Sequence, residues 1–386
     1  MAPRFKTTKL VVDARMITRK NTHGIARYTL EWLKYLAQNP SPYLVPVMLT
    51  APDFPQEQFT CSTAIAQVQT SIPWISLQEQ LLLPLLLKKI GCQLFHSPSF
   101  MSLMWTPCPL VMTIHDLNHV HLPHHYGMAQ KWYYRLLVAR AISRAQLIFT
   151  VSKFSQTELE RIYPASKGKI VVTGNGVAEC FRLETNAPAT LAPHLAHTGP
   201  YFVAIASDKA HKNLEWIVQA VEIMHDHDPQ LKVIVCGTRP EQLCKQIDEK
   251  RLRSRFIFTG PLNDHELAYV LRHAKALLFP SIYEGFGLPV LEALACGTAV
   301  VCAQATSLPE VAGEHAFYFE PTRFESFYSA MHTAWKAHDS TALKQARSTH
   351  AHTFCWDAFG QQTKSALESR CLFLAHSPSV AATSNT

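Results

Sequence analysis

The chain has 386 residues, of which 47% are hydrophobic and 17% charged, and a formal net charge of +7. That length and apolar content fit two soluble domains of about 150 to 200 residues each, and no run approaches the roughly 18 apolar residues that span a bilayer. The N-terminus has no long apolar stretch, so no signal peptide is expected. The ten cysteines make no C-x-x-C pair and read as reduced thiols of a cytoplasmic protein. The positive charge fits either solubility alone or an anionic partner such as a nucleotide or an acidic membrane surface, and without a Lys/Arg block it does not point to nucleic acid.

Short β-rich runs alternate with helical patterns from the start. Residues 9–14 (KLVVDA) read as a strand, and Ile25, Tyr28, Trp32, Leu33 and Leu36 then recur on one helical face. Strands are expected at 43–50, 94–98, 110–116, 146–152 and 169–176, with helices in the gaps, notably 127–144 and 153–163. Residues 184–200 hold three prolines and little periodicity, and read as a linker. The alternation restarts with strands at 201–207, 231–237, 255–260, 276–281, 299–303 and 316–320. Continuous apolar strands between helices predict parallel sheets covered on both faces. The expected fold is therefore α/β: two Rossmann-like, doubly wound parallel-sheet domains, at 1–183 and 201–353, facing a cleft at the carboxyl ends of their strands. A helix at 354–372 and a disordered tail at 373–386 complete the chain.

Two carboxylates, Glu284 and Glu292, flank a glycine elbow in the stretch LLFPSIYEGFGLPVLEALACGT (277–298). Pro289 suits the start of a helix, where no N–H is needed. Phe286, Gly287 and Leu288 then present backbone N–H groups at a helix N-terminus, which attracts phosphate, and Glu292 is expected in the first helical turn. Gly285 and Gly287 allow close approach of backbone to ligand. Lys212 precedes a helix predicted to start near Asn213, where it would offset diphosphate charge. Gly24 opens the first long helix and makes another amide-rich anion site. His115 and Asp116 stand at the end of a strand, where functional loops of α/β sheets gather. The run HDLNHVHLPHH (115–125) has no recognised zinc spacing and is interrupted by Pro123, so no metal is expected. There is no Walker A sequence, and GNGVAE (174–179) fails as G-x-G-x-x-G at its last position.

Glu284-x7-Glu292 around GFGLP, KNL at 212–214, HDL at 115–117, VSKFS at 151–155, NGV at 175–177 and GIARYT at 24–29 together resemble the family-4 retaining glycosyltransferases of GT-B fold. The resemblance runs from about residue 9 to residue 370. VVDARMITRKNTHGIARYT and SLPEV (307–311) are most similar to bacterial mannosyltransferases of O-chain and exopolysaccharide assembly. The resemblance implies a hexosyltransferase using a nucleotide-sugar donor, GDP-mannose foremost, and a saccharide or lipid-linked acceptor. It implies Glu284 on the donor sugar, Glu292 on the ribose, and the amides of Phe286, Gly287 and Leu288 on sugar hydroxyls and phosphate. Lys212 would meet the diphosphate, Gly24 would lie beside it, and His115 would lie near the anomeric carbon. It also implies metal-independent chemistry without a cofactor, and a C-terminal helix that crosses back to the first domain.

One departure matters. Many relatives carry an arginine before the lysine, where this chain reads Ala206-Ser207 and His211; Lys209 or a protonated His211 would have to replace it. UDP-sugar-dependent transfer, sugar-nucleotide 2-epimerisation and a non-catalytic nucleotide-sugar-binding subunit stay open as alternatives. The segments 78–91 and 128–144 have apolar faces with basic and aromatic residues. Packing on the first sheet is the reading adopted for both, with peripheral contact to an anionic inner membrane as the alternative.

Overall fold

The β-rich runs form two parallel sheets in a computed structural model that describes residues 7–19, 24–59, 65–100, 103–121, 134–182, 199–207 and 209–376. The chain divides into two compact units. The first comprises Met1–Val151, Gln156–Thr173 and Trp356–Thr386; the second comprises Ser152–Ser155 and Gly174–Cys355. The expected linker lies almost wholly outside the described residues, as do most of the expected tail, residues 127–133 of the expected helix 127–144, and His124 and His125 of the histidine run.

Among the described residues the first unit holds seven strands: β1 (Thr8–Asp13), β2 (Leu44–Thr50), β3 (Ala66–Gln69), β4 (Leu94–Ser97), β5 (Leu110–Ile114), β6 (Leu147–Thr150) and β7 (Ile170–Val172). Their order is β3-β2-β1-β4-β5-β6-β7, and every pairing is parallel. The sequence reading lacks β3. That strand, AQVQ, is an edge strand with mostly exposed side chains, so it needs no apolar run. Central strands need one: all five residues of β5 are buried.

The second unit holds β8 (Tyr201–Ala206), β9 (Lys232–Gly237), β10 (Phe256–Gly260), β11 (Ala276–Phe279), β12 (Ala299–Ala303) and β13 (Ala316–Phe319). Their order, β10-β9-β8-β11-β12-β13, is the doubly wound order of dinucleotide-binding sheets. Residues 174–182, placed with the first domain by the sequence reading, pack with this unit. Val177 N–H donates to the Phe354 carbonyl at 3.2 Å, and Arg272 Nη2 donates to the Cys180 carbonyl at 2.8 Å. Those bonds satisfy backbone groups that a free linker would leave to water.

After its last residue in the second unit the chain returns to the first as the helix Trp356–His376. This helix crosses α1 (Ile25–Gln38) closely. A Cβ on Gly360 would lie 2.1 Å from Tyr35 Cγ, so only glycine fits the crossing. Phe359 packs edge-on to Tyr28 at 4.6 Å between ring centroids. Ser41 Oγ donates to Glu368 at 2.5 Å, and Arg370 Nη2 to the Gln146 carbonyl at 2.7 Å.

Candidate active site

In the second unit, β8 and β11 are neighbours, but the sheet continues from β8 to β9 on one side and from β11 to β12 on the other. This reversal leaves a crevice at their carboxyl ends, the usual ligand position in such sheets. The two loops that open there carry Lys212 and Glu284. Lys212 ends the short 3-10 turn Ala210–Lys212 after β8, and Asn213 follows in the left-handed region at φ 52°. The next helix, Glu215–Met224, therefore starts two residues later than the sequence suggests.

Lys212 Nζ is 2.5 Å from Glu284 Oε1, with the side chains 18% and 15% exposed, and it also lies 4.8 Å from the centre of the Phe279 ring. The two loops are fastened at the backbone: Ile282 N–H donates to the His211 carbonyl at 3.0 Å, and Ser281 Oγ donates to the same oxygen at 3.3 Å. Burial raises the Glu284 carboxyl, but the charge and hydrogen bond of Lys212, the Ser281 hydroxyl and the charge of His211 together bring it below the ordinary carboxylate value. Glu284 is ionised at neutral pH and neutralises Lys212.

The elbow after Glu284 is held from several sides. Glu284 N–H donates to Thr306 Oγ1 at 3.3 Å, Ser307 Oγ donates to the Glu284 carbonyl at 3.0 Å, and Ser152 Oγ donates to the Gly285 carbonyl at 2.7 Å. Gly287 caps the helix Leu288–Ala295 at φ 100°. A Cβ there would meet Leu308 Cδ2 at 2.7 Å, so both the conformation and the packing demand glycine. The Phe286 ring is buried and packs edge-on to Phe354 at 5.9 Å; what it can offer a ligand is its backbone. Among the described residues, the N–H groups of Phe286, Gly287 and Leu288 have no acceptor. Three such donors at a helix N-terminus bind anions or hydroxyl oxygens.

Glu292 is 5% exposed, and no acid stands in the first turn of its helix. It therefore sits in the second turn, one residue deeper than a helix begun at Pro289 would put it, because the helix starts at Leu288 with Gly287 as its cap. Of the two substitutes for the absent arginine, His211 is buried and lies within electrostatic reach of Glu284. Lys209 is exposed at the start of the same turn.

In the first unit the sheet reverses between β1 and β4. Gly24 follows β1 and caps α1 at φ 43°, with open space where a Cβ would be. His115 follows β5. Its Nε2 lies 3.0 Å from the Pro98 carbonyl, at the end of β4. Its ring meets Tyr28 edge-on at 4.7 Å, so the C-terminal helix reaches it through Phe359 and Tyr28. Burial pushes the imidazole down to about 4 against the opposing pull of the Pro98 carbonyl. His115 is then neutral at pH 7. A carbonyl can only accept, so Nε2 carries the proton and Nδ1 keeps a lone pair.

Two further groups escaped the sequence reading. Thr306 and Ser307 hold the Glu284 peptide from both ends, and Thr306, although β-branched, has φ 57°. Such a conformation persists only where surrounding contacts enforce it. Ser307 opens the SLPEV stretch quoted for the resemblance, but nothing in the sequence ties it or Thr306 to Glu284. At the end of β1, buried Arg15 is bidentate to Asp13 (2.9 and 2.8 Å) and reaches Glu79 at 3.2 Å. A sequence separation of 64 hides that link.

Residues 22–179 match the model of the Glycosyltransferase Family 4 region, and residues 192–344 match that of Glycosyl transferases group 1. O-antigen chain mannosyltransferase B of Escherichia coli is 28% identical over 70% of this chain and 72% of its own. O-antigen chain mannosyltransferase RfbU of Salmonella typhimurium is 27% identical over 57% of this chain and 59% of its own. The structure of HepE from Anabaena, solved with UDP and glucose, superposes with a TM-score of 0.71 at 18% identity, covering 94% of this chain and 100% of that one. With one matched region in each half, two parallel α/β sheets and these relatives, the chain belongs to the family-4 glycosyltransferases: it is a hexosyltransferase of GT-B fold.

Proposed function

We propose that this glycosyltransferase moves mannose from GDP-mannose, with retention of anomeric configuration, onto a saccharide or lipid-linked saccharide in cell-surface polysaccharide assembly. The observation that carries the reading is the Lys212–Glu284 pair beside three unpartnered amides at the reversal of the second sheet. The mannose preference is supported by the E. coli and Salmonella relatives, which are O-antigen chain mannosyltransferases. Binding of a donor divides the pair. Lys212 turns to the diphosphate, Glu284 to sugar hydroxyls, the amides of Phe286, Gly287 and Leu288 to sugar and phosphate oxygens, and Glu292 to the ribose. Lys209 supplies the second positive charge.

The bond from C1 to the phosphate oxygen breaks toward an oxocarbenium-like state, and negative charge collects on the leaving diphosphate. Preorganised cations and amides stabilise that charge. The acceptor oxygen attacks C1 from the face the diphosphate leaves, and its proton passes to the departing phosphate. His115, neutral with a lone pair on Nδ1, accepts a hydrogen bond from the donor sugar rather than a proton in the reaction; Gly24 supplies an amide to the diphosphate. The reaction is proposed to need no metal and no cofactor, so turnover should survive EDTA. A lipid-linked acceptor implies peripheral contact with the membrane that carries it.

A second reading, UDP-sugar-dependent transfer, is favoured by the UDP and glucose bound in the Anabaena structure. Thermal shift with GDP-mannose, UDP-glucose, GDP and UDP separates the two, because a ligand bound only by the folded state raises the melting temperature. A larger shift with GDP-mannose supports the first reading; a shift with UDP-glucose alone replaces it by the second.

A further inference from the structure

Helix α2 (Leu77–Lys89) is apolar around most of its circumference but buries only one side. Leu83, Pro84 and Leu87 are buried, Leu83 and Leu87 in the core of the first unit. Leu77, Leu81, Leu82 and Leu85 point to solvent, 46–88% exposed. Leu77, Leu81, Leu85 and Lys88 recur at helical spacing, with Leu82 and Lys89 alongside, so leucines and lysines share one outward face. Its only acid, Glu79, is buried on the other side with Arg15. Met104 N–H donates to Gln80 Oε1 of this helix at 2.9 Å, and Met104 and the next residue, Trp105, are both exposed. A water-facing helix normally puts charge outward, and a contiguous apolar patch of this kind marks an interaction surface. Among the described residues no helix is long and apolar enough to cross a membrane.

We propose that the outward face of α2, with Trp105, lies on an anionic lipid surface: the leucines and indole enter the headgroup boundary while Lys88 and Lys89 meet lipid phosphates. Apolar burial combined with basic residues is how interfacial helices bind, and the absence of any carboxylate on this face removes the repulsion that would oppose it. The proposal rests on the reading of a membrane-borne acceptor, and it names the surface that brings the enzyme to it.

The test is co-sedimentation of the full chain with phosphatidylglycerol/phosphatidylethanolamine vesicles and with phosphatidylcholine vesicles, without donor or acceptor. Wild type should bind the anionic vesicles and release them as salt rises. Leu81→Glu/Leu85→Glu should lower partitioning at least about tenfold, and Lys88→Ala/Lys89→Ala by about fivefold per lysine, with unchanged circular dichroism. Both variants should keep wild-type transfer to a water-soluble acceptor, so loss of vesicle binding is read apart from loss of chemistry. If no form transfers sugar, the functional reading fails while the vesicle result still stands. Wild-type-like vesicle binding by the leucine variant overturns the proposal, as does equal binding to neutral and anionic lipid. A wild-type dimer that the leucine variant converts to monomer would make a second copy the occupant and also overturn it.

Discussion

Replacing Glu284 by Gln removes one charge from a pair whose atoms lie 2.5 Å apart. At the effective dielectric of partly buried sites, two charges 4 Å apart attract by about 4 kcal/mol, much of it offset by desolvation. Lys212 is only 18% exposed and would lose its counter-ion. Breaking a fully buried pair costs about 3–5 kcal/mol; the partial exposure here brings the expected loss of stability to about 1–3 kcal/mol. The fold should persist at room temperature in Glu284→Gln and Glu284→Ala alike. Activity should suffer more. If Glu284 grips the donor sugar as charge develops, its loss should lower kcat by about a hundred- to a thousandfold. The assay is nucleoside diphosphate release with acceptor present, alongside urea denaturation of Glu284→Gln, Lys212→Ala and the double variant. The double variant should be less damaged in stability than the sum of the singles, with a coupling of about 1–2 kcal/mol. Wild-type kcat in Glu284→Gln, or strict additivity of the two changes, would refute the reasoning.

Gly287→Ala forces an alanine to φ 100° and against Leu308; it should cost about 2–4 kcal/mol and raise the donor KM, whereas Gly24→Ala, which meets no atom within 4 Å, should cost only about 1 kcal/mol. Equal urea midpoints for the two would contradict this. Glu292→Ala should raise the donor KM more than it lowers kcat; an unchanged KM removes the ribose assignment. His96, buried and held down to about 3 chiefly by burial and then by the charge of His115, and His115, held to about 4, both titrate in the folded chain below the ordinary value of 6.5. Between 6.5 and those values the unfolded chain binds more protons, so their contribution is complete above pH 6.5 and shrinks as pH falls, by about 1.4 kcal/mol per unit per group. Urea midpoints should drop from pH 7.5 to 5.5, and less so in His96→Gln; a midpoint that holds or rises on acidification would contradict the assignment.

Most strands could be read because a central parallel strand is covered on both faces: β11 and β12 are continuous apolar runs, and β5 is interrupted only by Thr113. β3 could not, since an edge strand pairs along one side and exposes its side chains. The pair Glu284 and Glu292 stood out because carboxylates flank glycines at a strand-to-helix turn. The depth of Glu292 did not, because it depends on where Gly287 turns left-handed. Thr306 and Ser307 act through the backbone of Glu284, a residue more than twenty positions earlier, and leave no local pattern. The leucine run 81–87 reads as packing on the first sheet, with surface contact as the alternative. Only its packing shows that Leu83 and Leu87 go inward while Leu81, Leu82 and Leu85 do not.

The central claim is mannosyl transfer with retention. Incubating the purified chain with GDP-mannose and a lipid-linked saccharide acceptor, in EDTA, and reading the new linkage by the one-bond carbon–hydrogen coupling at the anomeric centre tests it most directly. The account predicts an α-mannosyl product and released GDP, both absent with Glu284→Ala. A product of inverted configuration, an epimerised free nucleotide sugar, or donor binding without turnover would contradict it.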